Sequence, residues 1–214
     1  MRMLVLIIFT LIVLVNISFA QNNTCANAQP FCTGTPVSYP AGTNAGQAQA
    51  GPNYGCLFSQ PNPAWFSLQI ATPGPLSIVM QANQDIDFVL WGPFPNLTGN
   101  CGNLTAANIV PNSGGNSGCS YSGSNTETLV IANAQVGQNY ILLITNFSNS
   151  NQQINFNQNN SNNPGAGTTN CGILCSFTAN ATSTVCSTGT ATFGVVTGTS
   201  ITNVVWNGPG GFNL

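Results

Sequence analysis

Between Leu76 and Trp91 the sequence changes character every second residue. Leu76, Ile78, Met80 and Ala82 alternate with Ser77, Val79 and Gln81. A polar turn, Gln81 to Gln84, follows. Ile86, Phe88 and Leu90 then resume the apolar side, with Asp85, Asp87, Val89 and Trp91 opposite. A period of two is that of a strand whose two faces meet different surroundings. Gly92-Pro93 stops the second strand. Similar alternation marks Ala64 to Ala71, Thr126 to Ala132 and Gln152 to Asn157, and a short strand is expected at Pro36 to Tyr39. Asn139 to Asn146, with YILLIT at its centre, is apolar on both sides, as in a central strand covered on both faces. No segment sustains a helical period. Short strands punctuated by Gly, Pro and Asn predict an all-β, jelly-roll-like β-sandwich.

Charge is almost missing. Among 214 residues there are three Asp or Glu, one Lys or Arg and no His. The lone cation is Arg2, so the chain lacks the basic side chains that neutralise nucleic-acid phosphates. It also lacks the usual base that titrates near neutrality, and the polybasic surface that seeks anionic lipid. Solubility falls to Asn, Gln, Ser and Thr. Two of the acids, Asp85 and Asp87, lie in the alternating stretch above, and Glu127 is the third.

The N-terminus reads as a secretion signal over residues 1–20. Arg2 precedes an apolar run from Leu4 to Val15, and Ser18-Phe19-Ala20 offers small residues before a cut. The run is shorter than the ~20 residues of a spanning helix, so no membrane span is expected after cleavage. Eight cysteines follow: Cys25, Cys32, Cys56, Cys101, Cys119, Cys171, Cys175 and Cys186. In an exported chain they read as disulfides. Cys101 with Cys119 is the first pairing to expect, because both flank one loop rich in Gly, Asn and Ser. Irregular spacing, no CxxC and no His argue against zinc.

Residues 21–157 form the first predicted domain. Residues 158–170, QNNSNNPGAGTT and the residue after it, are low in apolar side chains and read as a linker. Residues 171–214 start a second β unit with three strand candidates, too few for a two-sheet core. That unit is expected to be incomplete.

The runs CANAQPFC, GPNYGCLFSQPNPAWFSLQI, DIDFVLWGPF and VGQNYILLITNFSN resemble the N-terminal module of large secreted surface proteins of Bacteroidota, of the gliding-motility-associated or adhesin-like kind. The DxDxxLW strand and the late GxxYxLLI strand are similar to pre-peptidase C-terminal (PPC-type) β-sandwich domains. The tail, VCSTGTATF then VVWNGPGGF, resembles the first half of an Ig-like or PKD-like repeat. The resemblance implies an extracellular, non-enzymatic adhesion or structural module, exported by type IX secretion, that presents loops to a surface glycan or protein. The alternative is a carbohydrate-binding module appended to a secreted enzyme.

Two groups of residues are candidates for chemistry. Asp85 and Asp87 are two apart and share a strand face, where they could bind calcium with loop oxygens. The other reading is that they accept backbone N–H bonds and fix the adjoining loop. Trp65, Trp91 and Tyr121, with Tyr54 and Phe94, could form an aromatic platform for a neutral polysaccharide, or they could pack in the core and loops. Trp91 is the ring expected to be most exposed, since it faces away from Phe88 and Leu90. No catalytic residue and no obligatory cofactor is expected.

Overall fold

The computed structural model describes residues 22–170, apart from 35, 97 and 112–117. The signal segment and the second unit, with Cys171, Cys175 and Cys186, lie outside the described residues. Ten strands form two sheets. The first runs β1 (Gln29–Pro30), β3 (Pro63–Thr72), β8 (Asn139–Thr145), β5 (Asp87–Phe94), β6 (Cys119–Ser120), with β10 (Thr168–Thr169) also on β3. The second runs β2 (Val37–Pro40), β9 (Gln153–Gln158), β4 (Gly74–Gln81), β7 (Thr126–Ala134). Apart from β1, which runs parallel to β3, neighbours are antiparallel. The all-β sandwich expected from alternation is the observed fold.

The two strands of the Leu76–Trp91 stretch are not partners. β4 pairs with β7 and β9, whereas β5 pairs with β8 and β6. The polar turn therefore carries the chain from one sheet to the other. Both apolar faces then meet across the interior: Leu76, Ile78 and Met80 from one side, Ile86, Phe88 and Leu90 from the other. Phe66, Leu68, Ile70, Leu129, Ile131, Ile154 and Phe156 complete that core.

β8 sits between β3 and β5 and is buried along its whole length. Tyr140, Leu142 and Ile144 enter the inter-sheet core. Ile141 and Leu143 point the other way, into a second core on the outer face of the same sheet. Leu57, Trp65, Val89, Trp91, Phe94 and Leu104 join them there. Two loop segments, one before β3 and one after β5, cover this outer core. Disulfides Cys25–Cys101 and Cys56–Cys119 tie them down. Cys101 and Cys119 are thus not bonded to each other, as their shared loop suggested. Each reaches instead to the N-terminal covering segment, because that segment, rather than the loop's other end, lies over the same sheet face. Cys32 is disulfide-bonded as well.

The stretch read as a linker begins inside β9 and folds down on the sandwich. Asn160 accepts from the Ser77 amide at 3.0 Å and donates to the Pro75 carbonyl at 2.9 Å. The Gln158 amide donates to the Gly167 carbonyl at 2.9 Å. The fit is close enough that a Cβ on Gly74 would lie 2.0 Å from the Gly165 carbonyl. Gly74 also holds φ 136°, which a side chain would oppose.

Candidate functional site

The two tryptophans are the middle of the outer core. Trp65 and Trp91 are both 0% exposed and stack with centroids 5.7 Å apart and planes 13° apart. Tyr54 packs on both, and the Trp91 indole N–H donates to the Asn53 carbonyl at 3.0 Å. Phe94 is buried with them. The expected platform of Trp65, Trp91, Tyr54 and Phe94 is therefore corrected: these rings pack. Trp91 does face away from Phe88 and Leu90, but that face is closed by disulfide-tied loops instead of open to water.

Tyr121 is the most exposed of the expected rings, Tyr54 being half-buried, and it has two neighbours outside the strand pattern. Phe58 is 91% exposed, Phe147 38% and Tyr121 37%. Phe58 lies 5.6 Å from Tyr121 at 72°, and Phe147 lies 5.4 Å from it at 88°. Both neighbours thus meet Tyr121 edge to face. Three elements supply them. Phe58 follows Leu57 of the outer core and the disulfide-bonded Cys56, Tyr121 follows β6, and Phe147 follows β8. Each is followed in sequence by a serine: Phe58-Ser59, Tyr121-Ser122, Phe147-Ser148. These serines tie the group together. The Ser59 and Tyr121 hydroxyls are 3.4 Å apart, and the Ser148 amide donates to the Asp85 carbonyl at 3.3 Å. The repeated aromatic–serine pair outside the strands was the signal available in the sequence.

Ser122 links this face to the acids. Its amide donates to Asp87 Oδ1 at 3.0 Å, and its hydroxyl to Glu127 Oε1 at 2.6 Å. Asp87 is 2% exposed and Glu127 7%. All three acids of the chain therefore meet around two loops. Burial first, then the Asp85 charge, push the Asp87 carboxyl up to about 7, against the Ser122 hydrogen bond; Glu127 adds to the rise. Burial also raises Asp85. Gln152 holds the turn before Asp85, accepting from the Asn83 and Gln84 amides at 3.0 and 2.7 Å. Gln152 is itself anchored to Asn146 at 2.7 Å. The loop-fixing role foreseen for the carboxylates is present at Asp87.

Two buried oxygens here lack hydrogen-bond partners: Asp85 Oδ1 and Thr145 Oγ1. Thr145 is directly opposite Asp87 in the β5–β8 ladder. Carboxylate and hydroxyl oxygens are the donors calcium takes. Among the described residues, however, no three His, Cys, Asp or Glu side chains gather as a metal cage. Any ion would need neutral oxygens too.

A two-sheet, all-β module, stapled by disulfides and offering exposed rings beside buried acids, is what the fold and this site define. No helix among the described residues is long and apolar enough to cross a membrane. No protein-family profile matches the sequence, and no curated protein matches it significantly. Among solved structures it is similar to the pre-peptidase C-terminal domain of a collagenase from Bacillus anthracis. Identity is 10% and TM-score 0.37, over 61% of this chain and 93% of that one. It is also similar to a GH26-CBM35 β-(1,4)-mannanase from Podospora anserina. There identity is 14% and TM-score 0.21, over 57% of this chain and 27% of that one.

Proposed function

We propose that this chain is a non-enzymatic extracellular module of a large secreted surface protein, adhering to a glycan or protein through the face of Phe58, Tyr121 and Phe147. The observation that carries the reading is the exposure of these three touching rings on a face made rigid by the Cys56–Cys119 bridge. Exposed apolar clusters on a stiff support mark interaction sites. The chemistry of the chain supports a passive role, since it has no His and a single cation, Arg2. Disulfides fit an oxidising, extracellular location.

Immobilised chain should retain surface glycans or surface proteins, and Phe58→Ala with Tyr121→Ala should abolish retention while melting unchanged. Retention untouched by both substitutions, or hydrolysis of any glycan or peptide, would sink the reading. The appended carbohydrate-binding module predicts instead micromolar binding of one soluble oligosaccharide. Calcium held by Asp85 and Asp87, with Thr145, is a separate proposal resting on the orphaned Asp85 Oδ1. It predicts a rise in Tm on adding calcium that Asp85→Asn removes.

A further inference from the structure

We propose that the aromatic face is a receptor for one arginine side chain of a partner protein. This rests on the binding reading above and names the partner's chemistry.

Shape is the first argument. Phe58 and Phe147 meet Tyr121 edge to face, at 72° and 88°, and all three rings keep surface open to water. Ring faces attract organic cations lying within ~6 Å of their centroids.

Charge is the second. All three acids of the chain lie on segments hydrogen-bonded to serines that follow these rings. Ser122, beside Tyr121, bonds Asp87 and Glu127, and Ser148, beside Phe147, bonds the backbone of Asp85. One more step of the β5–β6 register, Phe88↔Ser120, sets Tyr121 opposite Asp87. No cation within the described residues offsets this charge, because the sequence has only Arg2. Asp85 is the partly exposed acid of the three.

The ligand must use both parts. A neutral sugar would stack on the rings and donate hydroxyls to a carboxylate, but would leave its charge unmet. A metal ion would take the carboxylates and leave the rings idle. A guanidinium does both: its plane stacks on an aromatic face while its N–H groups reach a carboxylate. Lysine offers a charge but no plane.

The test titrates N-acetyl-arginine amide into the full chain and follows aromatic proton signals by NMR. Saturable shifts at Phe58, Tyr121 and Phe147 are expected, with a Kd in the millimolar range that weakens with salt. Tyr121→Ala and Asp85→Asn should each weaken binding about two- to fivefold. The citrulline analogue, uncharged and otherwise alike, should not saturate. Near-UV circular dichroism of both variants checks that they fold. Equal shifts with citrulline, or shifts elsewhere on the chain, would overturn the proposal. So would calcium binding without any response to arginine. Arginine binding without retention of any surface glycan or protein would instead leave this site standing and remove the adhesive role.

Discussion

The two cores of this molecule share a sheet and differ in what closes them. Between the sheets, Phe66, Leu142 and Phe156 are sealed mostly by strands contributing every second side chain, with Phe31, Ala41, Ile86 and Val110 added from outside them. On the outer face, Trp65, Trp91 and Leu143 are sealed by irregular segments held by Cys25–Cys101 and Cys56–Cys119. Strand pairing brings its own hydrogen bonds, so the inner core is self-supporting. A loop lid must be restrained against its chain entropy, and a disulfide supplies that restraint. The candidate site grows from the rim of the outer core, where the lid ends.

The most damaging way to challenge this contrast is inside. Phe66 packs on Phe156 at 4.9 Å and on Tyr39 at 5.5 Å. Phe66→Ala should cost about 3–5 kcal/mol in thermal or denaturant unfolding. Removing Cys25–Cys101 by Cys25→Ala with Cys101→Ala should cost about 2–4 kcal/mol. Its tryptophan fluorescence should move to the red before the sheets melt, since Trp65 and Trp91, two of the three tryptophans in the sequence, lie under the lid. Coincident transitions would mean that the two cores are one cooperative unit.

The acids provide a gentler probe. Asp87 titrates higher folded, about 7, than its ordinary 3.8. Between these values the folded chain holds more protons than the unfolded one, so stability falls as pH rises from about 4 to about 7. The loss should be at most about 4 kcal/mol, and Asp87→Asn should flatten the profile. A stability that climbs over that window would contradict the burial of Asp87. Least of all should happen at Phe58: at 91% exposure, Phe58→Ala should stay within about 0.5 kcal/mol of wild type. A larger loss would make that ring part of the lid and not of a binding face.

Alternation made the inner core legible, because a strand's side-chain period is fixed by its backbone. Its absence from β8, apolar on both sides, foretold that this strand would be covered twice. It could say nothing of what covers the second side. Trp91 was placed on the correct face and given the wrong environment. Periodicity tells which side a residue is on, and only the loops' path tells whether water is there. The Cys101–Cys119 expectation failed likewise, by taking nearness in sequence for nearness in space. Asp85 and Asp87 were readable as a shared face. Glu127 was not, since it arrives from the other sheet and is joined to them through Ser122. Phe58 and Phe147 escaped notice because they sit just past buried runs, outside any strand.

One more feature bears on how such a module would behave under load. Thr33 and Thr169 exchange hydrogen bonds, each amide donating to the other's hydroxyl at 2.7 and 2.8 Å. β10 lies beside β3, which is itself bonded to the doubly covered β8. A pull transmitted through residues after 170 would first strain the bonds of Asn170 to Gln69 of β3, and next this threonine clasp. Tension would thus enter the molecule through β3 and be shared with the strand that both cores cover.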